Sequence, residues 1–280
     1  MKLDNTEAVR PPRDDIAAPE FPPGLVWLGE QPASMAELTA PGPVLVHFFD
    51  FAQLNSVRTL PYLVEWRRRY ADLGLTVLGV QAPRFGFGGD PRPLSRGLER
   101  LGVEFPVALD GERRLWLDYG CEGWPSLFLW GQGGALRWFH FGEGEYYATE
   151  QAIQAELRLL DALRPLPQPM DPLRASDGPG VKVMPPTPEI FPGEAEDEPW
   201  VGGGDAEITV AYEAGGVYAT IDGIGELEIE LDGSARDPLP IDGAGLYELA
   251  AHPRHEAHVL VLRARQPLRV WSVSFAAGVP

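Results

Sequence analysis

Two kinds of hydrophobic pattern alternate along residues 43–163. Short unbroken apolar runs predict buried strands at PVLVHFF (43–49) and LTVLGVQA (75–82). SLFLW (126–130) and ALRWFHF (135–141) read as a hairpin closed through Gly131–Gly134. Apolar positions three and four apart predict helices at Leu54–Tyr70, Pro91–Leu101, Glu112–Tyr119 and Thr149–Leu163. Strands interleaved with helices imply an α/β domain, a mixed sheet with helices on both faces.

Beyond residue 200 the helical period disappears. Short alternating segments follow at 206–212, 217–222, 225–231, 245–250, 257–264 and 268–275, separated by Gly, Asp and Pro, and they predict a small antiparallel β-sandwich. In GELEIEL the alternation places Glu226, Glu228 and Glu230 on the wet face and Leu227, Ile229 and Leu231 inward. Residues 165–200 contain ten prolines and the acidic cluster Glu194, Glu196, Asp197 and Glu198, a composition that predicts an extended linker. The expected organisation is an N-terminal tail over 1–23, an α/β domain over 24–164, a proline-rich acidic linker over 165–200 and an all-β domain over 201–280.

Composition narrows the chemistry. A net charge of -18 argues against binding to nucleic acid or an anionic membrane surface, which needs clustered Lys and Arg. No apolar run approaches the roughly 18 residues of a membrane-spanning helix, and MKLDNTEAVRPPRDD is too polar for a signal peptide, so a soluble, cytoplasmic protein is expected. The single cysteine, Cys121, excludes an intramolecular disulfide and a cysteine-rich zinc site.

The local wording of the first domain then carries a family resemblance. FFDFAQLNSVRTLPYLVEW (48–66) is similar to the F-W-T-Y-x-C-x-N-C-x-R-x-L-P-Y-L segment of thioredoxin-like domains of the DipZ and TlpA type, with Asn55, Arg58, Leu60, Pro61 and Tyr62 in register. GVQAPRFGF, RLGVEFPVALD, GWPSLFLW and HFGEGEYYATEQAI resemble further motifs of that family. TPEIF (187–191) and LYELAAHPRHEAHVLVLRA followed by VWSVSF resemble the β-sandwich appended in DipZ-type proteins, whose shape is like that of a carbohydrate-binding module. The resemblance implies a thioredoxin-like fold followed by a jelly-roll-like sandwich, with Pro125 cis.

Where the family has its two cysteines, this chain has Gln53 and Ser56. Thioredoxin chemistry needs one thiolate to attack a disulfide and a second thiol to resolve the product, and neither side chain can do this. The sequence therefore points to a redox-inactive protein that needs no cofactor. A peptide or protein partner would pair with the backbone at Trp124 beside Pro125 and meet the helix start at Gln53, Asn55 and Ser56, with Phe49, Phe51 and Trp124 as apolar walls. Two alternatives stay open: an oxidoreductase or peroxidase working through Cys121 with an external thiol, and a carbohydrate-binding protein using Tyr212, Tyr218, Tyr247 or Trp271 of the second domain. A triad of Ser56 with His47 and Asp50 is disfavoured because His47 lies inside an apolar strand. His252, His255 and His258 form HxxHxxH, but spacing by three shares a face only on a helix and His258 begins a strand, so no metal site is expected.

Overall fold

The computed structural model describes residues 13–193, 195–204 and 206–280. Most of the expected polar tail, and Glu194 of the acidic cluster, lie outside the described residues.

The first sheet has the strand order β1-β7-β6-β3-β4-β5-β2. Its strands are β1 (Arg13–Ala17), β2 (Val26–Leu28), β3 (Val44–Phe49), β4 (Thr76–Gln81), β5 (Val107–Leu109), β6 (Ser126–Trp130) and β7 (Ala135–Phe141). β3, β4 and β5 are parallel, and β6 and β7 continue the sheet antiparallel. All six residues of β3 are buried, as a central strand covered on both faces requires. The helices are α1 (Met35–Thr39), α2 (Leu54–Tyr70), α3 (Pro91–Arg100), α4 (Arg114–Asp118) and α5 (Tyr146–Leu160). One core layer joins the sheet to α2, α3 and α5 through residues such as Phe49, Trp66, Leu94 and Ile153. A second joins the opposite face to α1 and α4 through Met35, Phe48, Trp116 and Phe128.

α2 runs over the span its apolar spacing predicts. α5 begins three residues before the expected Thr149, because Tyr146 is buried and stacks on Tyr62 of α2 at 3.7 Å, which draws the first turn into the helix. Residues 13–17, within the expected tail, form an edge strand on β7.

The C-terminal part is all antiparallel, in the order β11-β10-β13-β9-β14-β8 with β12 beside β10. The strands are β8 (Trp200–Val201), β9 (Glu207–Asp222), β10 (Gly225–Leu231), β11 (Ser234–Ala235), β12 (Leu239–Ile241), β13 (Gly245–Ala264) and β14 (Arg269–Ala276). Two pairs of expected short strands prove to be single long ones, β9 and β13. Gly215 and Gly216 interrupt the hydrophobic alternation without ending β9, and a Cβ on Gly215 would lie 2.6 Å from Gly278 Cα. The register between β9 and β13 shifts from Ala251 to Glu256, opposite that point. Residues on either side of the break, such as Val210 and Leu262 on one side and Val217 and Val273 on the other, share one core.

Residues 165–200 contain little regular structure, yet they are tied down. Glu150 Oε2 accepts from Met170 N at 2.9 Å, Tyr62 Oη accepts from Leu173 N at 2.8 Å, and Gln154 Nε2 donates to the Pro167 carbonyl at 2.9 Å. Ile190 then bridges to Val273 at the edge of β14. No described helix is long and apolar enough to cross a membrane.

The two parts meet at the start of α2. Thr220 Oγ1 of β9 donates to the Ala52 carbonyl at 2.6 Å, and Leu54 packs with Leu246 and Ala276. Trp271 rests on Phe85 and Phe87, with ring centroids 5.1 and 5.8 Å apart. Arg84 pairs with Glu189 at 2.7 Å, and Arg100 reaches Asp242 at 3.2 Å.

Candidate functional site

Ser126 pairs with Phe48, so the Trp124–Pro125 segment and the turn Asp50–Gln53 leave the same end of neighbouring strands. The Trp124–Pro125 peptide bond is cis. Gln53 caps α2, its Oε1 accepting from Ser56 N at 2.8 Å. That bond satisfies one of the N–H groups a helix leaves unpaired at its first turn. Ser56 is fully buried, and its Oγ accepts from Asp50 N at 3.2 Å. Gln53 and Ser56 therefore both close the turn that starts the helix.

Beneath them lies a polar cluster that the chain's local pattern announces only as an acid inside FFDF. Asp50 is buried. Its Oδ1 accepts from Ala52 N at 2.9 Å and its Oδ2 from Arg84 N at 2.6 Å. Gln81 Oε1 accepts from Phe51 N at 3.0 Å. Burial holds the Asp50 carboxyl above the usual carboxylate range, partly offset by these backbone donors and by Gln81 and Arg84.

His47 is also fully buried, stacks on Phe49 at 5.3 Å, and neither ring nitrogen finds a hydrogen-bond partner. It is therefore no base for Ser56. Desolvation lowers its pKa to about 3, so it is neutral in the folded protein. The unfolded chain takes up this proton below pH 6.5 whereas the native state does so only near pH 3, so stability present at neutral pH drains away as pH falls through that window. At about 1.4 kcal/mol per pH unit, a His47→Leu variant should lose about 3 kcal/mol less than the parent between pH 6.5 and pH 4. Urea unfolding at several pH values measures the difference. Parallel curves for the two proteins would show that His47 titrates normally.

Among the other residues read from sequence, Gln53, Asn55 and Trp124 are half-buried and remain partly open to solvent. Trp124 lies on Trp116 at 4.6 Å, Arg113 sits over it, and its Nε1 donates to the Ala82 carbonyl at 2.8 Å. Pro125 is buried, its carbonyl accepting from Gly142 N at 2.8 Å. Phe49 and Phe51 are corrected from groove walls to core: both are fully buried, Phe49 against Gly79 and Phe51 against Gly97, where a glycine leaves room for the ring. Cys121 is half-buried in the α4-side cluster, and burial raises its thiol pKa to about 12. A thiol held that high supplies almost no thiolate near neutrality.

In the C-terminal part, His252 and His258 stack at 3.9 Å, while His255 faces Glu213 at 4.0 Å. Among the described residues no three His, Cys, Asp or Glu are placed to hold a metal. The aromatic residues considered for sugar binding are engaged within the chain. Tyr212 and Tyr247 are buried, with their hydroxyls on His252 and on Asp242 and Gly243. Tyr218 packs at the start of α2 and donates to Glu248, and Trp271 wedges between the two parts.

Strand order β5-β4-β3-β6-β7, α2 rising from the end of β3 and a proline facing it from the start of β6 define a thioredoxin-like domain, here followed by an all-antiparallel β domain. No family model matches the chain. Among curated proteins it is similar to Protein DipZ of Mycobacterium tuberculosis (strain CDC 1551 / Oshkosh), at 28% identity over 294 residues, covering 89% of this chain and 41% of DipZ. Protein DipZ of Mycobacterium bovis matches with the same identity and coverage. The chain thus spans less than half the length of these relatives. Thiol-disulfide oxidoreductase YkuV of Bacillus subtilis is 25% identical over 139 residues, covering 50% of this chain and 93% of that protein. A solved thiol-disulfide isomerase from Corynebacterium glutamicum aligns at 21% identity with a TM-score of 0.45, over 50% of this chain and 96% of that one.

Proposed function

We propose that this thioredoxin-like protein binds an extended peptide segment of a protein partner without performing thiol chemistry. The observation that carries the reading is the pairing of a partly open surface at Gln53, Asn55 and Trp124 with the absence of sulfur from both reactive positions. An extended segment laid beside Trp124 would gain backbone pairing and the apolar indole face, and its carbonyls would meet the N–H groups at the start of α2. Thr220 and the apolar contacts of Leu54 already cover one side of that helix start, which confines the docking surface to the side facing Trp124. A chain with one cysteine has no disulfide that requires an oxidising compartment, in keeping with action in the cytoplasm.

The test places a photo-crosslinking benzoylphenylalanine at Asn55 in the full chain. Crosslinking to one defined partner is expected. Trp124→Ala combined with Gln53→Ala should lower its yield about tenfold or more, the loss typical of a central aromatic anchor, in a variant that circular dichroism shows to be folded at the labelling temperature. A yield that the paired substitution leaves intact would falsify the docking surface.

A further inference from the structure

The first half of β9 is a sheet edge. β14 pairs with β9 only from Gly216 to Asp222, so the run from Glu207 to Ala214 has β13 on one side and, among the described residues, no strand on the other. Two observations fix which way its backbone groups point. Glu213 N donates to Thr187 Oγ1 at 2.8 Å and its carbonyl accepts from Thr187 N at 2.9 Å, so Glu213 spends both groups away from β13. Val259 of β13, the register partner of Ala211, likewise spends both of its groups on Asp232 and none on β9. In an antiparallel ladder such pairs, turned away from each other, alternate with bonded ones. The register is unbroken from Ala214 to Glu207, so Glu207, Thr209 and Ala211 also turn their N–H and C=O groups outward. Among the described residues no hydrogen bond reaches those groups.

A row of unpaired backbone groups is a template for one more strand, and protein edges are commonly blunted by Lys, Pro or a bulge. This run, EITVA, has none of the three, and Thr209 and Ala211 present small exposed side chains. Charge selects the occupant. Glu207 is held by Arg263 at 2.9 Å, whereas the Glu213 side chain is 72% exposed and, among the described residues, has only the His255 imidazole as an ion-pair partner, at 4.0 Å. A second copy would bring one acidic edge against another in chains of net charge -18, while a basic segment would be attracted. We propose that Glu207–Ala211 takes up an extended segment of another protein as an added antiparallel strand. Its alternate apolar residues would lie at the rim of the core beside Ile208 and Val210, and a Lys or Arg at its N-terminal end would reach Glu213. This surface belongs to the β domain and does not rest on the reading of the α2 surface.

The probe is a rhodamine-labelled peptide, Lys-Val-Thr-Val-Thr-Val-Lys, titrated into the full chain and followed by fluorescence anisotropy. Saturable binding of one peptide per chain is expected. Glu213→Lys should weaken it about tenfold, and so should replacing both lysines of the peptide by glutamate. Thr209→Pro removes an outward N–H that the β9–β13 ladder does not use, so it should abolish binding in a chain that circular dichroism shows to be folded. The same peptide N-methylated at its threonines, offered to the parent chain, should fail to bind, a result that needs no variant to fold. The chain carrying Trp124→Ala and Gln53→Ala should bind the peptide as the parent does. The proposal is overturned by absence of saturable binding, by equal binding of the glutamate or N-methylated peptide, or by loss of binding in the Trp124 and Gln53 variant. Sedimentation showing a parent dimer that Thr209→Pro dissociates also overturns it, because the edge would then join two copies.

Discussion

Replacing Gln53 and Ser56 together by cysteine is expected to give a protein that catalyses dithiothreitol-dependent insulin reduction, whereas the parent gives no turnover above the uncatalysed rate. The two positions are the cap of α2 and a residue of its first turn, where the helix dipole and unpaired N–H groups favour a thiolate. A thiol whose pKa falls from about 8.5 to about 7 would be half ionised at neutral pH instead of a few per cent ionised. The substitution removes the Gln53 cap, at about 1 kcal/mol, and the bond from Asp50 N to Ser56 Oγ. Insulin turbidity measures the gain. A dithiol that forms but does not turn over would mean that the covering β domain, rather than the missing sulfur, closes off the reaction.

Alkylation of Cys121 should be about a thousandfold slower in the native chain than in urea. Burial raises the thiol pKa from 9.0 to about 12, and each unit removes a factor of ten from the thiolate population. Iodoacetamide labelling followed by mass spectrometry gives both rates. A native rate close to that of the unfolded chain would restore Cys121 as a candidate nucleophile and with it an oxidoreductase reading.

The first domain was legible because its signals are local. The apolar run of β3, the spacing in α2 and the hairpin of β6 and β7 each announce an element without reference to distant residues. The segment 165–200 was not legible in the same way. Its prolines rule out regular structure but do not reveal that Glu150, Tyr62 and Gln154, side chains of α2 and α5, hold its backbone. Glycines and a polar stretch normally end a strand, so the sequence pattern splits each of β9 and β13 in two, and only the close approach of Gly278 to Gly215 shows why the chain runs on. At the candidate site the absence of cysteine from positions 53 and 56 could be read directly. The burial of Phe49 and Phe51 could not, since it depends on Gly79 and Gly97 from β4 and α3 making room for their rings.

The hydrogen bond from Thr220 to the Ala52 carbonyl bears on which residues positions 53 and 56 can accept. The start of α2 is thus also a joint within one polypeptide, where Gln53 and Ser56 supply acceptors for two backbone amides.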